Sequence, residues 1–302
     1  MEIGSIKRYQ KGAISMVCAI VGFAGMGLIV RSLRDDIGPA TAAFWRSIVG
    51  VFLVLGYAFV TQQKFTFKKE LAPILLLRCV TGATALLFYF GAIVSIDLGT
   101  ATALCYTYPV FATLLSAVYL KETVGAKRWM CIFISWIGIA IMTAFRPMIG
   151  LGEVWGTLSG ILAGVAIHSL RALRSQGESA ISILVIFQGF TSIVALPFAI
   201  LEVHSSSPWW NHILALLLLG VTGTIGQTGL TVAYRYLRTQ IASPLSFATV
   251  PLAAAGSYFI FDESIPLARI CGGAVLLLGL IGLGIFSETK SAKEIPGQRE
   301  LN

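Results

Sequence analysis

Arg46 and Arg78 each bring a lone charge into a long apolar run. A guanidinium in such surroundings costs about 2.5 kcal/mol or more on membrane-insertion scales. Something must offset it. One offset is the anionic group of a ligand, such as a carboxylate held by the planar fork. The other is snorkelling to a membrane edge about seven residues, roughly 10 Å, away. For Arg46, bonding to carbonyls or tying helices together is a further use. Polar side chains recur nearby at helical spacing. Thr102, Tyr106, Pro109, Thr113 and Ser116 share one face; Arg78, Gly82, Ala85 and Tyr89 share another. Thr224, Gln227, Thr231 and Tyr234 form a third stripe, and Ser243, Ser246 and Phe247 a fourth. A single Ser or Thr is explained by bonding between helices. Four stripes together favour a wet cavity. The predicted substrate-binding set is Arg46, Arg78, Tyr89, Tyr106, Gln227, Ser243, Ser246 and Phe247.

Other chemistry is missing. No Asp or Glu lies inside an apolar run; Asp97, Glu153, Glu178 and Glu202 sit at run ends. A buried carboxylate relay for protons therefore has no member, which favours facilitated transport or exchange over strict proton coupling. His168, near one run end, reads as structural or interfacial. Asp35–Asp36 and Asp262–Glu263 are adjacent pairs with no histidine or cysteine beside them. Neighbours in sequence do not face each other on a helix. No nucleophile with a base and no metal-ligand cluster is visible. The five cysteines lie singly in apolar runs and read as small packing residues. No catalytic residue, metal site or cofactor is predicted.

The elements that hold these residues follow from composition. Of 302 residues, 56% are hydrophobic and 12% charged, and the mean hydropathy is +0.83. Soluble domains carry about 25% charged residues. Ten apolar blocks read as membrane spans: 12–30, 40–60, 71–93, 98–119, 127–145, 154–173, 180–200, 211–234, 240–260 and 267–286. The first is long and lacks a clear cleavage site, so it reads as a retained span and not a signal peptide. With both termini in the cytoplasm, only Arg31, Arg34, Arg146 and Arg269 of the 22 Lys and Arg residues fall in loops on the far side. That asymmetry sets the orientation. It also explains the net charge of +8 without nucleic acid as a partner. Expected partners are a small-molecule substrate and the lipid bilayer, with the chain a monomer.

The stretch "YTYPVFATLLSAVYLKET" at 106–123 has a counterpart in "VPLAAAGSYFIFDES" at 250–264. An offset of 141 aligns Glu122 with Glu263, Arg128 with Arg269 and Gly138 with Gly279; Pro109 and Pro251 miss register by one. The chain is thus a tandem repeat. Five spans per copy, an odd number, make the copies enter the membrane from opposite sides, which is the pattern of many secondary transporters. The predicted fold is all-α and integral to the membrane, with ten transmembrane helices in two inverted five-helix repeats. The units are 1–146 and 147–302, the second ending in a short cytoplasmic tail. Pro109 and Pro251 would free the carbonyls of Cys105 and Phe247 and act as hinges, or else be packing kinks. Gly152, Gly156, Gly160 and Gly164 recur every four residues and predict close helix packing within the bundle.

The segment "GAIVSIDLGTATALCYTYPVFATLLSAVYLKETVGAKRWMCIFISWIGIAIM" resembles the EamA repeat of the drug/metabolite transporter superfamily. The second copy, through "SPLSFATVPLAAAGSYFIFDESIPLARICGGAVLLLGLIGL", resembles it too, as do "FWRS" at 44–47, "LLLRCVTG" at 75–82 and "RP" at 146–147. The resemblance implies a ten-helix carrier of the bacterial inner membrane, often an exporter of amino acids or small metabolites. It also implies that the fifth and tenth helices lie at the periphery. The second half departs from the first in having no arginine matching Arg46 or Arg78. The expected function is secondary transport of an amino acid or other carboxylate-bearing metabolite by alternating access, as export or exchange. An integral-membrane enzyme acting on lipid-like substrates and a facilitative channel are the alternatives.

Overall fold

Prolines and an acidic cap mark where helices begin. Gly38 is extended and Pro39 follows it at the first turn, where no helical partner awaits the missing N–H. A proline opens the third helix in the same way. Asp97 caps the fourth by accepting a hydrogen bond from the Thr100 amide at 2.9 Å. The computed structural model describes residues 2–63, 65–111, 125–142, 150–202, 208–237, 242, 245–263 and 266–286. Their regular structure is helical: α1 (Glu2–Ser32), α2 (Pro39–Val60), α3 (Ala72–Ser95), α4 (Leu98–Cys105) and α5 (Ala126–Met142), then α6 (Leu151–Ser175), α7 (Ala180–Glu202), α8 (Ile213–Tyr236), α9 (Thr249–Phe261) and α10 (Leu267–Phe286).

Among the described residues, six helices are long and apolar enough to cross a membrane: Tyr9–Ser32, Pro39–Val60, Lys69–Ser95, Leu151–Ser175, Ala180–Glu202 and Trp209–Tyr236. The expected fourth and ninth spans are interrupted. After α4 the chain turns at Tyr106 and Thr107 before helix resumes at Tyr108. Before α9 it turns at Phe247 and Ala248. The rest of the expected fourth span, 112–119, and the start of the ninth, 240–241, lie outside the described residues, as does Glu122.

The offset of 141 is carried by the helices themselves. It relates the starts of α2 and α7, α3 and α8, and α5 and α10. It also relates the two interruptions, Tyr106–Thr107 and Phe247–Ala248. Equivalent helices point opposite ways. α1 ends where Arg31 meets the carbonyls closing α3, whereas α6 ends beside Lys68, just before α3 begins.

The halves interlock. α1 packs on α8 and α6 on α3, a reciprocal exchange, while α2 pairs with α7, α4 with α9 and α5 with α10. Two contacts show the symmetry in detail. A Cβ on Gly138 would lie 2.7 Å from Leu276 Cα and 2.8 Å from the Gly272 carbonyl oxygen. One on Gly279 would lie 2.8 Å from both the Cys131 carbonyl oxygen and the Ser135 nitrogen. The partners of Gly138 and those of Gly279 are again 141 apart. In a bilayer, helix association rests on such close packing. The α6 glycines do the same work: Gly152 faces Ile96, and Gly156 and Gly160 face Leu104.

Gly138→Ala and Gly279→Ala are expected to destabilise the protein by similar amounts, about 1–3 kcal/mol each. Gly273→Ala, with open space beside it, should change little. Denaturant midpoints of the detergent-solubilised protein check this; unequal effects at the two paired glycines would argue against their equivalence.

Candidate functional site

Between the interlocked halves lies a cavity of about 120 Å³. That is small beside the roughly 300–1,000 Å³ of sites for drug-sized ligands. Its walls are mostly apolar and aromatic. Six of the predicted residues line it: Arg46, Arg78, Tyr89, Tyr106, Gln227 and Ser246. They come from α2, α3, the turn after α4, α8 and the segment before α9. Among the described residues, helices α5 and α10 contribute no lining residue, in keeping with a peripheral pair packed on each other. Phe247 stands behind the wall, in ring contact with Tyr106 and Tyr108. Ser243 lies outside the described residues. His168 is exposed and does not line the cavity.

The two arginines do not snorkel. Arg46 is 1% exposed and Arg78 4%, so both heads stay within the bundle. Arg46 reaches the Gly223 carbonyl with Nη2 at 3.4 Å, while its Nε and Nη1 have no hydrogen-bond partner. Arg78 Nε has none either. Both guanidinium carbons lie over the ring of Phe187, at 4.2 Å for Arg78 and 5.9 Å for Arg46. Such cation–π contacts are worth about 2 kcal/mol or more when desolvated. Two repeat-related glycines make the room. A Cβ on Gly82 would collide with Arg78 and come 2.8 Å from the Phe187 ring; one on Gly223 would come 2.7 Å from Arg46 Nε. Glycine at 82 and 223 is a requirement of these side chains.

Elsewhere on the wall the two chain interruptions meet. The Tyr106 hydroxyl donates to Thr249 Oγ1 at 3.0 Å, and Tyr108 and Ser246 share a hydrogen bond of 3.1 Å. Each bond joins one half to the other. Tyr89 is held by Thr102 at 3.0 Å. The carbonyls at the turns are satisfied close by. Leu104 O accepts from the Thr107 amide at 3.1 Å, and Phe247 O from Val250 N at 3.0 Å. The Phe247 carbonyl is therefore occupied by its own chain, unlike the free acceptor expected from Pro251. Membrane interiors demand this local satisfaction. Pro109 is half-buried and Pro251 exposed.

One end of the bundle is closed by an ionic cluster. Arg31 donates to the carbonyls of Ile93 and Ile96 at 2.7 and 2.9 Å, and its Nε donates to Glu263 at 2.6 Å. Arg34 lies 3.6 Å from the same carboxylate, and Ser257 donates to its other oxygen. Arg269 pairs with Asp97 at 2.9 Å. Burial pushes the Glu263 carboxyl up, but the Ser257 and Arg31 hydrogen bonds and the Arg31 and Arg34 charges outweigh it and hold the group below its ordinary range. At the opposite end Lys68 donates to the Gln176 carbonyl at 2.7 Å, and Glu178 accepts from the Lys68 amide at 3.1 Å.

Residue-by-residue reading missed Phe187, Gly223, Tyr108 and the α1 pair Phe23 and Met26. The repeat offered one signal: Phe187 is the position equivalent to Arg46. The α1 residues reach the cavity through the packing of α1 on α8, which periodicity within one helix does not reveal.

Membrane-crossing helices in two interlocked inverted halves around a cavity form the architecture of a membrane transporter. The EamA-like transporter family model matches twice, over residues 10–144 and 150–285. The chain belongs to that family. It is 28% identical to an "Uncharacterized transporter" of Helicobacter pylori (strain J99), over 94% of this chain and 98% of that protein. It is 26% identical to the "Pseudopaline exporter CntI" of Pseudomonas aeruginosa (91% and 96%) and 23% identical to an "S-adenosylmethionine uptake transporter" of Rickettsia felis (95% and 96%). A solved crystal structure shares the fold with a TM-score of 0.61 at 14% identity, covering 88% of this chain and 96% of that one. The protein is a multi-pass membrane transporter and not an enzyme.

A carboxyl depressed in the folded state adds stability above its unfolded value, about 4.3 for glutamate, and loses it as pH falls through the folded value. The melting temperature of the wild-type protein should therefore fall below about pH 5 more steeply than that of Glu263→Gln, which should melt lower at pH 7. Parallel curves would remove Glu263 from the stabilising cluster.

Proposed function

We propose that the protein carries a small carboxylate-bearing metabolite, an amino acid or another organic acid, across the bacterial inner membrane by alternating access, as export or exchange. The reading rests on one observation: two buried arginines line a cavity between the inverted halves, and their guanidinium groups hold nitrogens without hydrogen-bond partners. A carboxylate matches the planar fork and supplies the missing acceptors. Tyr89, Tyr106, Gln227 and Ser246 shape the remainder, with Phe247 as support and Ser243 a further candidate.

The full carrier has ten membrane helices, five in each unit, 1–146 and 147–302. The units rock about the chain breaks beside Pro109 and Pro251. The end carrying Lys11, Lys68, Lys127, Arg174 and Arg235 faces the cytoplasm with both termini, by the positive-inside rule. The end closed by Arg31 and Glu263 faces outward. A relative named as an exporter supports export; a relative named for uptake keeps exchange in the reading.

Purified protein in proteoliposomes, given a panel of amino and organic acids, should show saturable flux with trans-stimulation. Arg46→Gln or Arg78→Gln should lower flux at least about tenfold, the loss of one charge-assisted hydrogen bond. Unsaturable flux would indicate a channel, and undiminished transport in both variants would remove the arginines from the site. Orientation has a separate check in a cysteine-free background. Cysteines placed at Asp36 and Asp262 should react with impermeant reagent from outside whole cells, and cysteines at Gln62 and Gln176 only after lysis. Labelling of all four from one side would overturn the topology.

A further inference from the structure

Arg46 and Arg78 bring two positive charges to one cavity, and among the described residues no Asp or Glu lines it. Four described acids are engaged at helix ends. Glu263 meets Arg31 and Arg34, Asp97 meets Arg269, and Glu178 and Glu202 accept backbone amides. None reaches the arginines. Phe187 is one ring shared by both guanidinium groups. The tyrosine hydroxyls of the wall are tied to Thr102, Thr249 and Ser246. Gln227 Nε2 adds another unpartnered donor.

The wall is therefore mostly apolar, with two cationic groups and no anionic side chain among the described residues. A zwitterionic monocarboxylate would neutralise one arginine and place its ammonium near the other, with no carboxylate to receive it. Two like charges in a low-dielectric interior are offset by an equal opposite charge. From this we infer that the ligand carries two negative charges and no ammonium group, as a short dicarboxylate or a small phosphate monoester. The inference rests on the carrier reading above and narrows its substrate class.

Four probes separate the possibilities on the wild-type full chain in detergent and in proteoliposomes: succinate, monomethyl succinate, methyl phosphate and alanine. Monomethyl succinate keeps the chain and removes one charge, so no variant need fold for this comparison. Succinate or methyl phosphate should raise the melting temperature, and compete for flux, at concentrations at least tenfold below those needed with monomethyl succinate or alanine. Whichever is tighter identifies the source of the two charges. In Arg46→Gln and in Arg78→Gln the advantage of succinate over its monomethyl ester should disappear. Alanine or monomethyl succinate matching or exceeding both dianions would overturn the inference while leaving a carrier in place. No response to any of the four would overturn it as well, and the carrier reading would then be decided by the wider acid panel in proteoliposomes.

Discussion

The interlock between the two halves is the constraint from which the rest of the structure follows. In a bilayer, lipid tails solvate a leucine as well as another helix does, so helices associate where backbones come close. Here the close approaches are largely between halves. Gly22 meets the backbone of Gly226, Gly229 meets Ser15 and Ala19, and Gly138 and Gly279 exchange equivalent neighbours. Each half depends on the other for much of its buried surface. The cavity lies along the resulting seam and is bounded by both copies.

On that symmetric frame the site is asymmetric. Gly82 and Gly223 occupy equivalent positions and open equivalent space. Arg78 and Phe187 fill it on one side, and Arg46 fills it on the other. Phe187 is itself the counterpart of Arg46. Duplication supplied the same pocket twice, and the side chains that fill it differ: two cations from the first half, and an aromatic face from the second that both cations approach. A symmetric pair of arginines at 46 and 187 would have lost the ring that now stabilises them. The helix breaks are asymmetric too: Tyr106 bonds Thr249 through hydroxyl groups, whereas the repeat-related pair, Tyr108 and Phe247, meets through its rings.

Much of this was legible in sequence because it follows from backbone geometry. A constant offset of 141 governs Arg128 and Arg269, Gly138 and Gly279, and the starts of three helix pairs. Pro109 and Pro251 marked the breaks to within a few residues. Arg46 and Arg78 stood out because a charge in an apolar run is costly. What stayed hidden depends on which faces meet. A 3.6-residue period groups residues on a face but does not say that α1 lies on α8. Apart from its register with Arg46, Phe187 reads like a lipid-facing phenylalanine until its neighbours are known. The carbonyl expected to be free at Phe247 is taken by Val250, because the chain tightens locally where proline removes the regular bond.

The joining of the two chain breaks has a mechanical consequence. Tyr106 with Thr249 and Tyr108 with Ser246 bind one half's interruption to the other's inside the bundle. Straightening either segment alone would break both bonds. The two interruptions are thereby latched to each other by four side chains.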